Sequence, residues 1–274
     1  MGGSVVLTRW RNGLNAIAIA GVFASFFSTA VASELSENEC SFVKIYEDVN
    51  GRGSFSDLIA HMAHDVEYCH STGTCERGLR KRENPVKVTL DDGGSEKFNY
   101  LFDANLSYAV GVIGQLSGLD FYSHEGPEEV TGQIHVILVH DGIYKERVSA
   151  VPDLFEKFVV SKNLSCVVTN FDWPNAEVEY SEVWIKTTIS PKEFANCVKE
   201  EVYNASGVSG DPVGLDSLFS EDFFSNEIID PPIFQNFDGR ALIAMKMVYS
   251  EEMLNGQSRS RTKEISRKII NASC

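Results

Sequence analysis

The 274 residues are 43% hydrophobic and carry 39 acidic against 24 basic side chains, a formal charge of −15. The apolar fraction suffices for a globular core in one large domain or two small ones. The acidity excludes non-specific binding to nucleic acid or anionic membrane and favours solubility.

The first segment reads as export machinery. Arg9 and Arg11 precede the apolar run LNAIAIAGVFASFF, and Ala30-Val31-Ala32 offers the small residues of a cleavage site. A secretory signal peptide over residues 1–32, cut before Ser33, is expected. No later stretch reaches roughly 18 consecutive apolar residues, so no membrane span is expected after cleavage. The expected location is periplasmic or secreted.

All six cysteines follow that segment: Cys40, Cys69, Cys75, Cys166, Cys197 and Cys274. An even count in an exported chain points to disulfides, whose connectivity the count leaves open. Cys69 and Cys75 flank the short HSTGT loop and would pair locally. Cys166, at a strand, and Cys197, on a helix, would tie those two elements. Cys40 and Cys274 would then clasp the ends of the domain. A thiolate metal cluster would need C-x2-C spacing, which is absent.

In chain order, residues 33–39 are polar and read as a frayed end. Residues 53–68 carry Phe55, Leu58, Ile59 and Met62 at helical spacing behind Ser54 as a cap. His61-x-x-His64, near His70, has the spacing of a shared metal site, but capping or surface histidines are the commoner outcome. The basic run over 78–83 is too short to offset the overall charge. Val86, Val88 and Leu90 alternate with Lys87 and Thr89 as in a strand, and a DDGG turn follows at 91–94. A helix is predicted over 103–117 with Leu106, Val110, Ile113 and Leu116 on one stripe and Gly118 as its stop. QIHVILVH at 133–140 reads as an inner strand, with His135 and His140 expected to be satisfied within the structure. The order strand, helix, strand suggests a crossover unit. A strand is expected near 164–170, and a longer one over 176–189 whose alternation slips near Ser181, read as a bulge.

A helix follows over about 191–206. Ser190, Pro191 and Glu193 form an N-cap, a first-turn proline and the acid of a capping box, and Gly207 sits where a left-handed C-cap belongs. At roughly 100° per residue, Phe194, Val198, Glu201, Val202 and Ala205 share a face. A carboxylate in that apolar stripe requires a raised pKa, a hydrogen-bond partner or a metal. It is either a general base or a structural acid bonded to loop amides. Glu200 and Asn204 stand one turn apart, the ordinary spacing of a solvated pair. Residues 208–237 form a long connector, Asp238 caps a helix running through Tyr249, and a terminal helix carries Ile265, Ile269 and Ile270 to Cys274. N-x-S motifs at 105, 163, 204 and 271 read as chance in a bacterial-type protein. No G-x-S-x-G, P-loop, Rossmann or EF-hand pattern occurs.

The segment Glu200-Glu201-x-x-Asn204-x-x-Gly207-x-x-Gly210 resembles the metzincin pattern H-E-x-x-H-x-x-G-x-x-H. In that pattern two histidines one turn apart bind zinc and the glutamate activates water. Glu200 and Asn204 stand at the two helical histidine positions, Glu201 at the catalytic glutamate, and Gly210, beside Asp211, at the third ligand. The chain also resembles a family of exported bacterial proteins known only as a domain of unknown function. The motifs are Cys197-Val-Lys-Glu200-Glu201, Gly207, Asp211, Ser217-Leu-Phe219, and a helix from Asp238 to Val248-Tyr249. The likeness spans roughly residues 85–256, with Asn204 where that family tends to carry Gln and Ser206 where it tends to carry Leu.

The resemblance implies an α+β fold: a zincin-like twisted mixed β-sheet packed by the 103–117 and 191–206 helices, stapled by disulfides. The implied organisation is a signal peptide (1–32), an N-terminal helical and disulfide-loop segment (33–84) and a zincin-like domain (85–274). Glu201 would be the general base, and Glu200, Asn204 and Asp211 would be oxygen ligands. Such a set suits calcium or another hard cation better than zinc, since no histidine follows residue 140. No cofactor is expected. The favoured function is a degenerate, non-catalytic module that binds or scaffolds an envelope protein or peptide. The alternatives are an atypical metal-dependent peptidase using Glu201, and a structural domain whose Glu201 pins the long loop.

Overall fold

The computed structural model describes residues 34–65, 77–83, 85–91, 99–122, 132–139, 165–172, 178–208, 210, 218–220 and 236–274. The predicted signal peptide, the Cys69–Cys75 pair, the 91–94 turn beyond its first residue, His70, His140 and most of the 208–237 connector lie outside these residues.

The fold is mixed α/β. Its helices are α1 (Glu37–Asn50), α2 (Ser54–His64), α3 (Asn99–Ser117), α4 (Pro191–Ala205), α5 (Gly239–Val248) and α6 (Arg259–Ser273). Strands β1 (Val86–Asp91), β2 (Phe121–Tyr122), β3 (Gly132–Val139), β4 (Cys166–Asp172) and β5 (Val178–Lys186) form one sheet in the order β2-β1-β3-β5-β4. The β1–β2, β1–β3 and β3–β5 pairs are parallel, and β4 runs antiparallel to β5 at the edge. The crossover through α3 returns to the short β2 on the far side of β1 from β3. A two-stranded clip, β6 (Phe219–Ser220) with β7 (Asn236–Phe237), closes the base of the connector.

One face of the sheet and the helices share a core. Val86, Ile134, Val136, Val183 and Ile185 pack with Ile113 of α3 and with Phe194, Val198 and Val202 of α4, all but sealed from solvent. α4 lies on β4 and β5, and α3 packs on α4 and α5. α2 packs on α6 and α5, so residues 34–64 belong to the same packed body as the sheet.

Two sequence expectations are corrected. Of the stretch 33–39 expected to fray, residues 36–39 are ordered into a helix start: the Ser36 side chain accepts from Glu39 N and the Glu39 carboxylate accepts from Ser36 N, a complete capping box that starts α1. Ser54 is not the cap of α2: Gly53, at φ 83, holds that place and Ser54 begins the helix. The irregularity expected near Ser181 is present: Phe171 pairs with Tyr180 and Asp172 with Val178, so Glu179 is the extra residue. Ser181 lies on the buried face in step with Val183 and Ile185. A buried hydroxyl broke the apolar alternation there. It bonds to Arg82 and Asn170.

Two disulfides appear as expected. Cys40–Cys274 joins α1 to the end of α6, with a Cα–Cα distance of 5.3 Å. Cys166–Cys197 joins β4 to α4 at 5.8 Å. By closing 234 residues of sequence the first should contribute about 5 kcal/mol through lost unfolded-state entropy.

Candidate functional site

α4 begins as its residues dictate. The Ser190 hydroxyl accepts from Glu193 N at 3.2 Å and Pro191 occupies the first turn. The Glu193 carboxylate accepts the Ser165 hydroxyl, which ties that turn to the start of β4. The helix ends at Ala205, and Gly207 turns the chain at φ 101.

The predicted stripe is buried, but so is most of the rest. Phe194, Val198, Val202 and Ala205 have no exposure, and Glu201 retains 4%. Ala195, Lys199 and Tyr203, a second line at i, i+4 spacing, are equally closed. The helix is enclosed by β4 and β5, by α3, by the β6–β7 clip and by residues 79–82, so one amphipathic stripe underestimates its burial.

Of the sequence-derived site residues, Glu200 is half-buried, while Glu201 and Asn204 are both buried and stand one turn apart. Asn204 is therefore no member of a solvated pair with Glu200. Its Oδ1 has no hydrogen-bond partner among the described residues. Asp211 lies outside the described residues. Gly210 donates its N–H to the Met62 carbonyl at 2.9 Å, and a Cβ there would stand 2.8 Å from the His61 carbonyl oxygen and 2.8 Å from Met62 Cα. A side chain at the third-ligand position thus has no space unless α2 moves.

Three residues that sequence reasoning passed over hold this region. Lys199 is fully buried, with its ammonium 4.9 Å from the Phe219 ring centroid, and desolvation pulls its pKa down to about 7. The 195/199/203 spacing was its only sequence signal. Arg82, read as part of a short basic run, is 2% exposed. It donates from Nε to the Ala205 carbonyl at 2.6 Å, from NH1 to the Val178 and Glu179 carbonyls at 3.4 and 3.1 Å, and from NH2 to the Ser181 hydroxyl. Burial lowers its pKa to about 10. Tyr249 accepts from Arg82 N at 3.0 Å and donates to the Ser206 carbonyl at 2.6 Å, and burial raises its pKa. Arg82 and Tyr249 together satisfy carbonyls that the end of α4 leaves open. Nothing in the run of charges at 80–83 marks Arg82 as the one that turns inward.

The connector is anchored by packing. Asp238 N donates to the Leu218 carbonyl at 2.8 Å, the Asp238 side chain caps α5, and Phe237 sits among Tyr108, Tyr203 and Phe219 with ring centroids 5.5–5.8 Å away.

The histidine pair on α2 is separately engaged. His61 pairs with Asp65. His64 Nδ1 donates to the Arg77 carbonyl at 2.6 Å, and its Nε2 accepts from Thr262, whose oxygen accepts from Gln257. Both ring nitrogens of His64 are in use. Of the N-x-S motifs, Asn105 and Asn204 are buried and Asn271 is exposed. No group of three or more His, Cys, Asp or Glu side chains placed to hold a metal occurs among the described residues.

Comparison with known proteins finds no matching family model, no matching curated protein and no matching solved structure.

Proposed function

We infer that this chain is an exported, zincin-like protein without proteolytic chemistry, working as a binding or scaffold module in the bacterial envelope. The carrying observation is Gly210. The metzincin likeness puts a third metal ligand there, and in this chain that backbone is pressed against α2 with no space for a side chain. Glu200 and Asn204 in place of histidines, and Glu201 closed from solvent, support the same reading.

Zinc does not fit the residues present. The donors along this face of α4 are oxygens alone, and the nearby sulfur, that of Cys197, is committed to a disulfide. A hard cation could draw only on Glu200, Glu201 and Asn204 among the described residues.

Export is supported by the leader-like start, by two disulfides, and by the fact that no described helix is long and apolar enough to cross a membrane. The five-stranded mixed sheet, with α4 on β4 and β5 and α3 packed against α4, supports that reading.

The test is metal analysis and peptide hydrolysis on protein recovered from the periplasm, wild type beside Glu201→Gln. The expected result is substoichiometric metal in both proteins, no peptide cleavage, and a mature N-terminus at Ser33. Stoichiometric calcium or another hard cation lost in Glu201→Gln, together with cleavage by the wild type alone, would establish the metal-dependent peptidase instead.

A further inference from the structure

The two disulfides among the described residues differ in access. Cys166 and Cys197 are 8% and 3% exposed, sealed between β4 and α4. Cys274 is exposed and Cys40 half-buried, and both line an open groove of about 500 Å³ between α1 and α6. Charged side chains, Glu37, Lys44 and Arg52 among them, share that lining, so the groove is a wet approach to sulfur.

α1 depends on this bond. Val43 is its one fully buried residue. Its other ties are few: Lys246 to Glu39 at 2.8 Å, Gly53 N to the Glu47 carboxylate at 2.9 Å, and Leu35 N to the Ser273 hydroxyl at 3.1 Å. Phe42 and Tyr46 meet Phe55 edge-on at 6.2 and 5.2 Å, and Phe42 covers Gly239, where a Cβ would come within 3.0 Å of its ring. α6, by contrast, buries Thr262, Ile265, Ser266, Ile269 and Ile270 and packs along α2. Cutting the clasp should loosen α1 and leave α6 in place.

We propose that Cys40–Cys274 is a thiol–disulfide exchange site for an envelope dithiol, and that its reduction releases α1 and uncovers Phe55 and the first turn of α5. The dithiol's thiolate attacks Sγ of Cys274, the more exposed residue of the pair, forming a mixed disulfide while Cys40 leaves as thiolate. The second thiol of the reductant then attacks the mixed disulfide and frees the Cys274 thiolate. Two electrons and two protons pass to the protein, and the reductant becomes a disulfide. Access, which sets which sulfur is attacked, separates this bond from Cys166–Cys197.

The experiment treats the oxidised mature protein with graded dithiothreitol under native conditions, and in parallel with a protein dithiol of the Cys-x-x-Cys class. It follows alkylation by peptide mapping and amide exchange by mass spectrometry. Cys40 and Cys274 should be alkylated at least about tenfold faster than Cys166 and Cys197. Exchange should rise across 37–50 while 191–205 and 259–273 stay protected. Simultaneous opening of both bonds, opening only with global unfolding, or opening that leaves 37–50 protected would each overturn the proposal. A Cys40→Ser/Cys274→Ser variant should show the same rise across 37–50 without reductant, and protection there would equally overturn it. If that variant fails to accumulate, the wild-type reduction series decides alone.

Discussion

The Arg82 guanidinium donates to the Ala205 carbonyl at 2.6 Å, while the Arg82 backbone N–H meets the Tyr249 hydroxyl that itself donates to Ser206. One residue from outside α4 thus closes the end of that helix, the start of β5 and the turn after α5.

Replacing Arg82 with Met should therefore destabilise the whole domain. The carbonyls of Ala205, Val178 and Glu179 would lose their donor inside the protein, at a cost of about 3–5 kcal/mol. For a domain of this size, thermal denaturation followed by circular dichroism should register a drop of roughly 6–20 °C. Arg82→Lys should recover little of it, because one ammonium cannot span the same carbonyls.

Two glycines with nearly equal φ should respond unequally to alanine. Gly207 (φ 101) would place a Cβ 2.2 Å from the Arg80 carbonyl oxygen, whereas Gly51 (φ 98) has nothing within 4 Å. Gly51→Ala should cost only the backbone strain of its φ 98, ψ 152 conformation, about 1–3 kcal/mol. Gly207→Ala adds a collision between backbones and should cost about 3 kcal/mol or more. Urea midpoints for the two variants check the difference, and equal midpoints would show that residues 79–82 yield freely.

Lys199 sets a pH dependence of definite sign. Its folded-state pKa of about 7 lies below the ordinary 10.5. Between those values the unfolded chain binds a proton that the folded chain does not, so stability rises with pH across that window. Below about 7 the buried ammonium is charged in both states and its full desolvation cost is present. Lys199→Met should raise the melting temperature at pH 6 by roughly 4–8 °C, for about 2 kcal/mol. The gain should shrink toward pH 10, and a gain that grows with pH would refute the assignment.

Removing the buried disulfide should loosen the helix it holds. Cys166→Ser/Cys197→Ser opens a 31-residue span and should cost about 3–4 kcal/mol. Native-state amide exchange should concentrate the loss in 191–205 and 166–172, leaving 37–50 unchanged.

Periodicity and capping were enough to outline the strands near 86, 133 and 178, the helix after Ser190 and the cap at Asp238, because each rests on contacts within a few residues, while two cysteine pairs followed from where the thiols sit on the predicted elements and not from their number. The burial of Glu201 followed from the same local rule, since an apolar stripe at 3.6-residue spacing must face a core. What escaped depended on distant chain. Lys199 and Asn204 are buried because the β6–β7 clip and residues 79–82 close over faces that look solvent-directed on an isolated helix. Arg82 points inward because carbonyls from β5 and α4, brought from about a hundred residues away, converge where one side chain of a basic run can reach. The slip near Ser181 was legible as a register shift beside Glu179, but that the Ser181 hydroxyl bonds Arg82 and Asn170 was not. Local order along a chain prescribes which elements form, whereas the environment of a polar group is set by whatever folds against it, and that is decided only in three dimensions.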